Sequence, residues 1–232
     1  MVTVDRIKWA INSFEPYKAL GVDGIYPVLL QVGVEFIAPK LCNIYRASLA
    51  TGYIPKSWKI SRVTYILKSG RSQTSAKACR PICLTSFLLK TLEKLVDRYL
   101  RDEVLRKKPL HTYQYAFQAG KSTETALSRI QSNLSLVLSL VKKIEKAILF
   151  KGVALGAFID IEGAFDNISA ELVVEALDKK GVDTTTKKWI SSVLKQRQIV
   201  AERFGEVLRI TTDVGCPPGW NFFTRLVKPR RG

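Results

Sequence analysis

Histidine is nearly absent from this 232-residue chain: His111 is the single one, and the four cysteines, Cys42, Cys79, Cys83 and Cys216, form no Cys-x-x-Cys pair. A structural zinc site draws four Cys or His ligands from close paired spacings, so this set excludes one. Long apolar runs are missing too. The purest, Val153 to Ile161, falls far short of the roughly 18 residues that a membrane span needs. No leader-like segment opens the chain, whose first turns carry Asp5 and Lys8 in an amphipathic pattern. Unpaired thiols without a secretory signal imply a reducing, intracellular location, the nucleus included. Fourteen glycines and nine prolines fall without period, which excludes a collagenous or low-complexity chain. Negative charge is outweighed: 20 acidic residues face 37 basic ones, a formal net charge of +17. A domain this basic repels itself, and a polyanion is its natural counterweight. The bases are spread along the chain instead of forming one polybasic anchor, which favours nucleic acid over a membrane surface.

Charged residues are 25% and hydrophobic residues 47%, ordinary for a folded domain, and the length allows one large domain or two small ones. Val4, Ile7, Ala10, Ile11 and Phe14 predict a short amphipathic helix near 3–14. Pro16 and Gly21-Val22-Asp23-Gly24 break the chain before a helical region from about Pro27 to Thr51, ended by Gly52. Val63 to Leu67 reads as a strand leading into the basic loop Lys68-Ser69-Gly70. Leu88, Leu92, Leu95, Tyr99 and Leu100 trace one helix face. A longer helix is predicted from Ser122, with the stripe Leu127, Ile130, Leu134, Val137, Leu138, Val141 and Ile144. Val153 to Ile161 is expected as a buried central strand. Ser169 caps a helix that Gly181 stops, another helix carries Trp189, Ile190 and Val193, and Ile199–Phe204 with Val207–Thr212 form a hairpin turning at Gly205-Glu206.

Two segments invite a chemical reading. The run from Ala157 to Asp166 delivers Asp160 to the end of a strand, with Glu162 and Asp166 close behind. Strand-end carboxylates suit a hard divalent cation, and two-metal phosphoryl transfer needs carboxylates from separate elements. A solvated strand-to-helix turn capped by Asp166 or Asn167 accounts for the same spacing equally well. Gly120-Lys121-Ser122 imitates the end of a phosphate-binding loop, but the position of its first glycine is Tyr115 and Pro109 to Tyr113 makes a poor strand. Without that glycine the backbone cannot curl round a phosphate, so a Walker ATPase is rejected.

Five blocks, in order, carry a resemblance. They are Gly21-Val22-Asp23-Gly24-Ile25; Trp58-Lys59 through Val63, Ile66, Lys68 and Gly70; Arg80-Pro81-Ile82-Cys83-Leu84-Thr85-Ser86; Gln114 through Phe117, Gly120 and Ser122-Thr123; and Phe158-Ile159-Asp160 to Phe165-Asp166. Together they resemble the reverse transcriptase domain of non-LTR retrotransposons, in the broad group of the jockey elements. The resemblance implies an α+β fold, the fingers and partial palm of a right-hand polymerase, with helices on a small, mainly antiparallel sheet. It implies that Asp160 is a catalytic aspartate binding Mg²⁺ with the Ile161 carbonyl, and that Lys68 and Arg80 hold the incoming triphosphate. Phe165 would lie beneath the sugar and select deoxynucleotides by clash. Gln114 and Lys121 would touch nucleic acid, the partners being an RNA template, a DNA primer and deoxynucleoside triphosphates.

The sequence also departs from the family. Gly215-Cys216-Pro217-Pro218-Gly219-Trp220 stands where the family reads G-C-P-Q-G-G, and no Asp-Asp pair occurs anywhere in the 232 residues, so the Tyr/Phe-x-Asp-Asp motif is absent. The expectation is a reverse transcriptase segment over 1–220, truncated before that motif, with a diverged tail at 221–232. It would be inactive as this chain. Two alternatives remain open: a non-catalytic RNA- or DNA-binding remnant, and a nuclease using Asp160 and Glu162.

Overall fold

The structure, a computed structural model, describes residues 1–70, 78–116, 118, 120–132, 134–153, 167–203 and 206–216. Four helices begin where a short polar side chain accepts a first-turn amide: Thr3 before α1 (Val4–Asn12), Ser86 before α4 (Phe87–Tyr99), Ser169 before α7 (Ala170–Lys180) and Asp183 before α8 (Thr184–Leu194). The single helix expected over 27–51 is two, α2 (Pro27–Val32) and α3 (Val34–Thr51), which meet at Gly33. A π-helical turn, Leu100–Leu105, extends α4.

The apolar stripes of these helices meet. Ile7, Ala10 and Ile11 of α1, Ala38 and Tyr45 of α3, Leu92 and Val96 of α4, and Trp189 and Ile190 of α8 are all fully buried. Each large side chain so buried contributes about 1.5–3 kcal/mol. The one polar atom of the Trp189 ring is satisfied: Nε1 donates to Ser48 Oγ at 3.1 Å, and Ser48 Oγ donates to the Tyr53 carbonyl at 2.6 Å.

Beside this helical core stands a four-stranded sheet of β1 (Ile60–Leu67), β2 (Cys79–Leu84), β3 (Arg197–Arg203) and β4 (Glu206–Thr212), in the order β2-β1-β3-β4. β1 pairs antiparallel with β2 and parallel with β3, and β3 pairs antiparallel with β4, so the fold is α+β with a mixed sheet. The β3–β4 hairpin is the one expected. β2 is a strand that the sequence reading leaves out, because Pro81 sits inside it. Pro81 is tolerated since β2 is an edge strand among the described residues, where no further strand asks for its missing N–H.

The long helix expected from Ser122 is seen as α5 (Thr123–Ser132) and α6 (Leu134–Leu149), on either side of residue 133, which lies outside the described residues. Its start is doubly capped: the Ser122 amide donates to Thr125 Oγ1 at 2.7 Å and the Thr125 amide donates to Ser122 Oγ at 3.2 Å. Of its stripe, Leu127, Leu138, Val141 and Ile144 are 39–60% exposed. The strand expected beyond Val153, and the tail at 221–232, lie outside the described residues. All four cysteines are free thiols, and no described helix is long and apolar enough to cross a membrane.

Tyr45 supplies a pH signature of this core. Its hydroxyl donates to the Leu88 carbonyl at 2.7 Å, and burial, only partly offset by Thr91, raises its pKa above the ordinary value. The folded state therefore keeps a proton that the unfolded chain releases near pH 10, so stability is full below about pH 10 and is lost as pH rises beyond it. Lys59, Lys90 and Lys94, lowered by burial, contribute the opposite slope. Urea unfolding of wild type and Tyr45→Phe from pH 9 to 11 separates the two. The variant should lose a slope of about 1.4 kcal/mol per pH unit above pH 10; parallel curves would refute the assignment.

Candidate nucleotide and nucleic-acid site

The cations singled out in the sequence come together on the β1–β2 hairpin. Ile66 is paired with Arg80, Leu67 with Cys79, and the Lys68 amide donates to the Ala78 carbonyl at 2.8 Å, which carries the ladder one step further. Directly opposed residues share a face and alternate along the strand. Lys68, opposite Ala78, is therefore on the face of Arg80, as a diagonal neighbour at about 7–8 Å. The same parity adds Arg62, which the sequence reading passed over. Ser61 and Val63, on the opposite face, are buried, so the three cations look away from the core side. Neither β1 nor β2 carries a carboxylate; the Arg62–Val200 pairing puts Glu202 of β3 on the same sheet face, past the end of the β1–β3 pairing. Toward its tip the hairpin extends beyond the β3 pairing, which ends at Val63, and its apolar residues Tyr65, Ile66 and Leu67 are exposed.

The start of the second block and the first block hold this hairpin. Trp58 is buried with its ring edge-on to Tyr45 at 5.9 Å, anchoring the chain just before β1. Gly21, itself buried, lies against the backbone that follows β2: a Cβ there would stand 2.7 Å from the Thr85 carbonyl carbon and 2.8 Å from the Ser86 nitrogen. The Gly21–Ile25 and Arg80–Ser86 blocks, far apart in sequence, are thus in contact.

The loop of the fourth block closes on itself. Lys121 Nζ donates to the Gln114 carbonyl at 3.0 Å and the Thr112 carbonyl at 3.5 Å, and lies 5.2 Å from the Tyr115 ring centre. Gln118 Nε2 donates to the same Gln114 carbonyl at 2.6 Å. In this conformation the ammonium of Lys121 orders its own loop and is not free for a strand.

Around the last block, an unanticipated residue is central. Arg197 is 7% exposed, yet its guanidinium donates to Leu194 O at 3.0 Å, Val214 O at 2.7 Å and Gly215 O at 2.6 Å. Burial pushes its pKa below the ordinary value. The Gly215 amide in turn donates to Ile168 O at 2.7 Å, and Ser169 bridges to Val214. The chain just after the Asp160 block is thereby joined to the chain leading into Gly215-Cys216-Pro217. Nothing in the sequence pattern distinguishes Arg197 from the other surface-type arginines.

Asp160, Ile161 and Phe165 lie outside the described residues, as do Glu162 and Asp166. Among the described residues no three His, Cys, Asp or Glu side chains gather into a set fit for a metal ion. The described part of the chain therefore offers cations for phosphate but no donor set for Mg²⁺.

The profile of the family described as reverse transcriptase (RNA-dependent DNA polymerase) matches residues 66–225. The chain is 29% identical over 178 residues to a probable RNA-directed DNA polymerase from transposon BS of Drosophila melanogaster, covering 77% of this chain and 18% of that protein. It is 28% identical over 217 residues to a retrovirus-related Pol polyprotein from type-1 retrotransposable element R1 of Bradysia coprophila, covering 93% of this chain and 20% of that one. With the RNA-directed DNA polymerase from mobile element jockey of Drosophila melanogaster it shares 29% identity over 167 residues, 72% of this chain and 17% of the relative. These relatives are polymerases of non-LTR retrotransposons, as the five blocks implied, and the chain spans about a fifth of their length.

Proposed function

Since this chain belongs to the reverse transcriptase family, we propose that residues 1–220 are the fingers and partial palm of a non-LTR retrotransposon polymerase, with 221–232 a diverged tail. The parent reaction is RNA-templated DNA synthesis: a primer 3′-hydroxyl attacks the α-phosphate of a deoxynucleoside triphosphate and pyrophosphate leaves. The observation that carries this reading is the acid-free hairpin face bearing Arg62, Lys68 and Arg80. Guanidinium and ammonium groups so placed suit the oxygens of an incoming triphosphate. Gln114 and Lys121 would meet the nucleic-acid strand once Lys121 leaves its loop carbonyls. Asp160, with the Ile161 carbonyl, would hold the Mg²⁺ that neutralises the phosphates, and Phe165 would exclude a ribose 2′-hydroxyl.

As this chain the site is incomplete. In-line transfer needs both the attacking and the leaving oxygen stabilised, and the sequence contains no Asp-Asp pair to supply the remaining carboxylates. Pro218 further replaces the family's glutamine near the base pair. The chain is expected to bind RNA and single-stranded DNA with affinity falling steeply as salt rises, about 0.7 in log–log slope per phosphate contacted. It is expected not to extend a labelled primer on an RNA template with Mg²⁺ or Mn²⁺. Extension abolished by Asp160→Ala would show that another acid completes the site. Loss of salt-dependent binding in a folded preparation would sink the polymerase reading altogether.

A further inference from the structure

A cavity of about 460 Å³ opens where the start of α1, the π-helical turn after α4 and the end of α7 converge. That volume lies within the roughly 300–1,000 Å³ of ordinary ligand sites. Its charged lining is Arg6, Lys107, Lys108 and Lys180 against Glu103, a local excess of three positive charges. Two helix ends also meet there, each worth about half a negative charge, and they do not cancel that excess. Lys180 is structural: its Nζ donates to the carbonyls of Lys108 at 3.2 Å and Pro109 at 2.8 Å, which pins the 107–109 turn to the end of α7. Both Lys107 and Lys108 amides donate to Val104 O, at 3.1 and 2.9 Å, so the two lysines emerge together from a tight turn. Neither side chain has an acidic or carbonyl partner among the described residues. Gly181, in the left-handed region at φ +75°, clears the opposite wall; a Cβ there would stand 3.2 Å from Lys108 Nζ. The π-helical turn is a further sign, because such turns are uncommon and recur at functional sites.

We propose that this cleft docks the phosphodiester backbone of a single-stranded nucleic acid, as a second contact distinct from the β1–β2 hairpin. The geometry suits one backbone unit in the cavity, with Arg6 and the Lys107-Lys108 pair on neighbouring phosphate oxygens and Tyr99 on the wall, its hydroxyl turned to Asp183 Oδ2 at 3.1 Å. The proposal rests on the nucleic-acid-binding part of the reading above, and the measurement separates the two. Binding of a short labelled RNA is titrated across salt for wild type, for Arg6→Gln/Lys107→Gln/Lys108→Gln, and for Lys68→Gln/Arg80→Gln. Removing three phosphate partners should flatten the cleft variant's slope by about 2, additively with the hairpin variant. Lys107→Arg/Lys108→Arg should keep the wild-type slope, and Lys180 is left alone because it holds the turn. An unchanged slope in the folded cleft variant, with wild type still binding, overturns the cleft alone; no binding by wild type overturns the wider reading. Two other outcomes also overturn it: inorganic phosphate displacing RNA at near-equimolar concentration, which marks a small-anion site, or a cleft variant that loses binding to phosphatidylserine vesicles only.

Discussion

Replacing Arg197 by methionine is expected to destabilise the chain by about 3 kcal/mol or more, and to loosen the segment that leads into the Gly215–Gly219 block. Two large terms oppose each other here. Taking a guanidinium out of water costs several kcal/mol, and replacing buried charges by well-packed apolar groups is often neutral or stabilising. That comparison holds where both partners are replaced. Here the partners are backbone carbonyls, which cannot be mutated away: those of Leu194 and Gly215 would be left buried without this donor, while that of Val214 keeps Thr212 Oγ1 at 3.1 Å. An orphaned buried acceptor costs about 1–3 kcal/mol each, so two of them, with a weakened third, outweigh the relief of desolvation. Methionine nearly fills the volume, which keeps any cavity contribution small. Lysine, with one ammonium, should recover part of the loss. Urea unfolding gives the magnitude, and hydrogen exchange at the Gly215 amide gives the location, since that amide is held on Ile168 O at 2.7 Å. A methionine variant as stable as wild type would mean that the buried cation costs as much as its bonds return.

This junction also links chemistry to fold. The residues implied in catalysis precede Asn167 and those implied near the base pair follow Cys216, and the bonds around Arg197 and Gly215 fasten the described chain next to both. A polymerase needs such fixed spacing, because a displacement of about 1 Å at reacting groups can cost about 100-fold in rate. The cation that does the fastening has no chemistry of its own.

Legibility in the sequence followed physical locality. Thr3, Ser86, Ser169 and Asp183 act on amides within three residues, so local spacing suffices to place their helix starts, and all four elements are legible that way or by their stripes. The Lys68–Arg80 relation was implied by resemblance, and strand parity then accounts for it once the register is known. β2 stayed hidden because Pro81 lowers strand propensity everywhere except at an edge, and edge position is a tertiary fact. The α5–α6 stripe shows the converse. A period of apolar residues tells which side of a helix wants cover, but not what covers it, and Leu127, Leu138 and Val141 are exposed among the described residues. Arg197 was unreadable because its partners are main-chain carbonyls, which leave no trace in residue identity.

The two glycines of the first block should respond very differently to alanine. Gly24 has φ +68° and open space around its Cβ position; alanine there meets only left-handed backbone strain, about 1 kcal/mol, and asparagine less. Gly21→Ala meets main chain. Its Cβ would lie 2.7 Å from the Thr85 carbonyl carbon and 2.8 Å from both the Thr85 oxygen and the Ser86 nitrogen, distances that no real Cβ tolerates. Backbone is less able to give way than a flexible side-chain end, and forced overpacking costs about 1–3 kcal/mol. Ser86 raises that figure, since its Oγ accepts the Leu88 amide at 3.1 Å and caps α4; a lost cap costs about another 1 kcal/mol. Gly21→Ala should therefore cost about 2–4 kcal/mol in urea unfolding, several times the Gly24→Ala effect. A double-mutant cycle locates the damage. If the clash acts by dislodging the cap, Ser86→Ala costs little more once Gly21→Ala is present, and the two effects are strongly non-additive. Additive losses would mean that the chain absorbs the alanine without moving Ser86, and that the contact between the two blocks is not what the glycine protects.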